Sequence, residues 1–121
     1  MIQTINGWTK TKMKARIRRY NDGTQAKEIV DGQSRCLYIT PLGNRCAVGC
    51  FLTKEQAKEA DENQLTGTEV AKRWPEKMPI PPKGINELQD IHDDCDPSQN
   101  VQEELYDWID KRVVDSPKGT R

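Results

Sequence analysis

The sequence predicts an α+β fold: one small domain with a two-stranded β element packed by four or five helices. Three observations predict it. Thr53-Lys54-Glu55-Gln56 has the spacing of a capping box and should open a helix. Val101, Leu105, Trp108, Ile109 and Val113 recur at helical spacing near the C-terminus. Between the helical patterns, residues 35–52 form an apolar, cysteine-rich stretch broken by Pro41-Leu42-Gly43-Asn44, a turn signal.

Residues 8–20 read as a basic amphipathic helix with Met13, Ile17 and Tyr20 as a narrow apolar stripe, ended by Asn21-Asp22-Gly23. Residues 35–40 and 45–52 are then two strands across the turn, or a strand followed by a short helical turn. Small residues in Cys46-Ala47-Val48-Gly49-Cys50 suit either. The Thr53 helix should run to about Asn63. Thr68 is the candidate cap of a short helix over 69–74, stopped by Pro75. Four prolines in 75–83 predict a stiff, extended connector. Ile85, Leu88, Ile91 and His92 share one side of a helix over 85–93. The last helix, over 96–114, is expected to be capped by Asp96, with Pro97 at its first position and Gln99 completing a capping-box spacing. Its Leu105, Trp108 and Ile109 should bury against Leu37 or the 48–52 region. Residues 116–121 should fray.

At 121 residues, 34% hydrophobic and 31% charged, the chain is one domain, 1–121, that must assemble its core from few residues. The net charge is zero but divided: 11 Lys/Arg and 5 Asp/Glu in 1–60, and 8 against 14 in 61–121. The halves should attract one another, and a uniformly basic nucleic-acid binder is not indicated. Residues 1–7 lack the charged start and apolar run of a signal peptide, and no stretch approaches the ~20 apolar residues of a membrane span. The bacterial cytosol is the expected setting, where cysteines are reduced or bind metal.

Three residue sets carry chemistry. Cys36, Cys46, Cys50, His92 and Cys95 are candidate zinc ligands, though they lack paired C-x-x-C knuckles; otherwise they are small core residues. His92, the lone histidine, with Cys46 or Cys50 is the candidate pair of a thiol enzyme, without a supporting nucleophile motif. Lys10, Lys12, Lys14, Arg16, Arg18 and Arg19, joined by Arg35 and Arg45 beside the turn, are either a solvated face or an anion site. A P-loop and a G-x-G-x-x-G run are both missing.

Arg35-Cys36-Leu37-Tyr38, then Gly43-Asn44-Arg45-Cys46-Ala47-Val48-Gly49-Cys50, then Leu88-Gln89-Asp90-Ile91-His92-Asp93 resemble, in this order, the Cys-x-Tyr, Gly-x-x-Cys-Ala-Val-Gly-Cys and Leu-Gln-x-x-His-Asp segments of small proteins from bacteriophages and related mobile elements. The resemblance covers about residues 20–110 and implies a phage setting without an activity. In that setting the expectation is an accessory binding protein acting in host takeover or anti-defence. It would occupy a host bacterial protein or sequester a signalling nucleotide, without an enzyme activity and without a cofactor. Arg16, Arg18, Arg19, Arg35 and Arg45 would grip phosphate or acidic groups, Tyr38 would stack, and His92 with Asp93 would shape the site. A zinc-stabilised nucleic-acid-binding module is the first alternative and a Cys–His thiol enzyme the second.

Overall fold

Thr9 opens the first helix: its hydroxyl accepts the Lys12 amide at 3.2 Å, satisfying one of the free N–H groups of the first turn. In the computed structural model, the described residues are 1–96 and 98–116, with side chains at all of these but 29, 30 and 33–35. A short strand β1 (Ile2–Gln3) precedes helix α1 (Lys10–Tyr20), which buries Met13 and Ile17 completely. Asn21 stops α1. Its amide bonds the Ile17 carbonyl at 2.9 Å, and its buried side chain donates to the carbonyls of Thr24 at 3.0 Å and Arg45 at 2.7 Å.

Strands β2 (Lys27–Val30) and β3 (Gln33–Cys36) form an antiparallel hairpin around Asp31-Gly32, whose φ values of 52° and 79° fit a type I′ turn. The segment after β3 runs without regular sheet. Around Pro41–Asn44 a single bridge joins Ile39 to Arg45, and Gly49–Phe51 form one 3₁₀ turn. Gly49 is dictated by packing: a Cβ there would stand 2.1 Å from the Tyr38 carbonyl oxygen.

Helix α2 (Lys54–Glu62) carries both halves of the Thr53–Gln56 capping box and turns Ala57 and Ala60 inward. Helix α3 (Gly67–Arg73) has a second complete box, Thr66–Glu69. A 3₁₀ turn, Pro75–Lys77, leads through the buried Met78, Pro79 and Ile80 to α4 (Pro82–Asp93). Asn100 caps α5 (Val101–Arg112), and the chain ends in β4 (Val113–Val114), which pairs in parallel with β1 and so brings the two chain ends together. Gly84 lets that pairing approach α4, since a Cβ would meet Ile80 at 2.8 Å and Ile2 at 3.3 Å. The α+β class is therefore shown, with five α-helices and two two-stranded sheets among the described residues.

Several sequence expectations need correction. The hairpin is 27–36, not 35–52: the Pro41 turn closes only a bridge, because the chain beyond it turns inward to bury Cys46–Leu52. Thr66 rather than Thr68 caps α3, as the partner Glu69 stands three residues after Thr66. Prolines 75 and 82 begin helical turns, which leaves a connector of only Met78–Pro81. Asp96 does not cap α5. It accepts from the Ser98 amide at 2.9 Å, while its own amide donates to Gln99 at 3.2 Å. The expected roles of Pro97 and of 117–121 lie outside the described residues. Helix α5 packs on α4 and α1, and α1 in turn packs on the Gly49–Phe51 turn. Leu37 is buried, yet it stands apart from the cluster of core side chains that holds Leu105, Trp108 and Ile109.

Candidate anion-binding cleft

Helix α1 divides its cations between two environments. Lys10 and Lys14 lie on one side and reach Asp110 of α5 at 3.7 and 2.5 Å. Lys14 holds the Asp110 carboxyl below its ordinary range by hydrogen bonding to it. This pairing joins the positive and negative halves of the chain. Lys12, Arg16 and Arg19, at i, i+4 and i+7, lie on the other side with Tyr20 close by. Among the described residues none of these three forms an ion pair.

Beside that face is a cleft of about 490 Å³. Its aromatic lining is Trp8, Tyr20 and Phe51, and its cations are Arg16, Arg45, Lys54 and Lys77. Trp8 meets Phe51 edge to face, with ring centres 5.2 Å apart and planes at 83°. The Arg16 guanidinium sits 5.0 Å from the Tyr20 ring centre and 5.9 Å from that of Trp8, and its Nε donates to the Cys50 carbonyl at 3.0 Å. Arg45 lies 4.2 Å from the Tyr20 ring and Arg19 lies 5.3 Å from it, so three guanidinium groups surround one phenol ring.

Arg45 is the decisive member. It is 9% exposed, and its Nη1 donates to the carbonyls of Leu52 at 2.7 Å and Gly49 at 3.4 Å. Its Nε is buried without a hydrogen-bond partner. A buried charge is normally matched by an acid, because desolvation otherwise costs several kcal/mol (~3–5 when one partner of a pair is lost). Here backbone carbonyls and a ring face supply only part of that compensation. Arg45 and Arg16 both act to lower the Cys50 thiol, though burial outweighs them and pushes it up to about 12. Helix α2 starts at the cleft, with Thr53 and Lys54 in its lining, and adds the positive end of its dipole. Glu76 is the acid in the lining, and it is exposed.

The structure thus gathers Arg16, Arg19 and Arg45 around Tyr20. Arg18 is exposed and belongs to neither the cleft lining nor the Tyr20 cluster. The Arg35 side chain lies outside the described residues. Tyr38 does not offer a stacking face: it is 8% exposed, and its hydroxyl donates to the Leu65 carbonyl at 2.5 Å. Its amide is taken by Asp61 at 2.7 Å. His92 and Asp93 are also away from the cleft lining. The buried His92 Nε2 accepts the Ala26 amide at 3.0 Å, which leaves Nδ1 to donate to Asp93 at 2.8 Å. That histidine ties the start of the hairpin to α4.

Cys46, Cys50 and Cys95 are buried and Cys36 is exposed. Among the described residues, no three His, Cys, Asp or Glu side chains come together as a metal group. Burial pushes the Cys46 thiol up, and burial with neighbouring Asp93 pushes Cys36 up to about 11. Both shifts run opposite to thiolate activation. Sequence reasoning missed Trp8, Lys54 and Lys77 and placed Tyr20 in the core. The signal for Tyr20 was its i+4 relation to Arg16; Trp8 carried none beyond its place next to the Thr9 cap.

A scan of family models, a search of curated proteins and a search of solved structures each find no match to this chain. Among the described residues no helix is long and apolar enough to cross a membrane.

Proposed function

We propose that the chain is a non-catalytic binding protein whose cleft sequesters a small phosphorylated ligand with an aromatic base. In the phage setting suggested by the sequence segments, that ligand is a signalling nucleotide of the bacterial host cytosol. One observation carries the reading: Arg45, nine-tenths buried and with an unpartnered Nε, lines a cleft whose other wall is aromatic. A phosphate satisfies unpaired guanidinium donors by charge-assisted hydrogen bonds, and a base finds the faces of Trp8 and Tyr20.

Titration calorimetry with the four common nucleoside 5′-monophosphates, and with the matching nucleosides, tests it. At least one monophosphate should bind, and its nucleoside should bind at least tenfold more weakly. Arg16→Glu should remove binding, since one charge-assisted hydrogen bond contributes about 1.5–3 kcal/mol, tenfold or more in affinity. Arg18→Glu should leave it unchanged, because Arg18 lies outside the lining. Four silent monophosphates, or nucleosides that bind equally well, would overturn the reading.

A further inference from the structure

The cleft has a neighbour. A second hollow, of about 310 Å³, is lined by Trp8, Lys12, Ala15, Arg16 and Arg19. Trp8 and Arg16 belong to both linings, so one indole and one guanidinium form the partition between the two spaces. Each space has cations of its own: Arg45, Lys54 and Lys77 on one side, Lys12 and Arg19 on the other. Lys12 and Arg19 are exposed, and among the described residues neither is ion-paired, whereas Lys10 and Lys14 of the same helix share Asp110. The Lys12 ammonium has only the Gly7 carbonyl, at 3.4 Å.

A single phosphate cannot occupy both spaces. The two linings share only Trp8 and Arg16 and otherwise hold different cations, so one phosphate fills one space and leaves the cations of the other unmatched. We infer that the ligand is a dinucleotide: two linked nucleotides whose phosphates lie on opposite sides of the Arg16–Trp8 partition, with one base against Tyr20 and the other against Trp8. Guanidinium on the partition suits the phosphodiester, and flat rings on both sides suit bases without demanding a sequence. The inference rests on the proposed nucleotide site and names its ligand class.

The test compares adenosine 5′-monophosphate with 5′-phosphorylated diadenylate (pApA) by calorimetry on the full chain. The dinucleotide should bind at least tenfold tighter, with a salt slope steeper by about one, as expected for one more phosphate contact. The substitution Lys12→Glu, at a cation that lines only the second hollow, should bring pApA close to the affinity of the monophosphate while leaving the monophosphate and the thermal midpoint unchanged. Lys12 is exposed, so the variant retains its fold. Equal affinity for the two ligands, or equal weakening of both by Lys12→Glu, would overturn the dinucleotide while leaving the first site intact. Binding of neither ligand, with the other three monophosphates also silent, would overturn the nucleotide site itself.

Discussion

The Arg45 guanidinium lies 4.2 Å from the centre of the Tyr20 ring, and the same residue's Nη1 holds the Leu52 carbonyl at 2.7 Å. The end of the first helix is thereby tied to the end of the Gly49–Phe51 turn. The cation proposed for binding also supports the fold, and the two roles separate by substitution.

Tyr20→Phe retains the ring and should retain both the thermal midpoint and nucleotide affinity. Tyr20→Leu removes the ring face from three guanidinium groups and should weaken both. A cation–π contact contributes about 0.5–2 kcal/mol, so the affinity loss should be between about twofold and thirtyfold. Melting curves and calorimetry on the two variants check this. Equal behaviour of Phe and Leu would show that the ring is only filling space.

Gly49→Ala should be among the most destabilising single changes in the chain. The new methyl would stand 2.1 Å from a backbone oxygen that cannot swing aside as a flexible side chain does. A loss of about 3 kcal/mol or more is expected from denaturant unfolding, at the upper end for overpacking. The Ala47→Gly control adds no atoms and should cost much less.

Trp108, 8% exposed, anchors α5 in the core. Trp108→Ala should cost about 3–5 kcal/mol, a large share of the stability of a domain this size. Chemical denaturation measures it. An unchanged midpoint would place the core's main support elsewhere.

The thiols make the protein alkali-sensitive. Folding favours the neutral form, because burial raises Cys46 well above its ordinary 9.0 and Cys50 to about 12. An unfolded chain ionises these groups near 9.0, so their contribution is complete below that pH. It is lost as pH rises through the range from 9.0 to about 12. Unfolding free energy measured from pH 7 to 11 should therefore fall above pH 9, and the fall should shrink in Cys50→Ala. At pH 7 every thiol in the folded protein should alkylate more slowly than a free cysteine, with the exposed Cys36 the fastest.

Local chemistry was legible where a helix start depends on residues three apart. Thr53 with Gln56 announced α2, and the Thr9 to Tyr20 period announced α1. The same rule applied to Thr66 with Glu69 reads α3 correctly, and Asp31-Gly32 is a hairpin signal that the cysteine-rich stretch overshadowed. Asp96 was the cap expected from the sequence, but the cap is Asn100, whose side chain accepts the Glu103 amide at 3.2 Å, next to Val101, which bonds the Gly23 carbonyl at 2.9 Å.

By itself the sequence determined the class, most of the helices, the inward stripes of Met13, Ile17, Leu105, Trp108 and Ile109, and the absence of familiar catalytic motifs. It could also single out Arg16, Arg19 and Arg45 as candidates. Only the tertiary structure decided that these three share one ring, that Tyr20 replaces Tyr38 as the aromatic partner, and that Trp8 and Lys77 close the cleft. The physical reason is separation along the chain. Helix caps and periods are set by neighbours a few residues apart, whereas a charged cleft arises where the packing of α1 on the Gly49–Phe51 turn brings distant cations together with Glu76 as the acid in the lining.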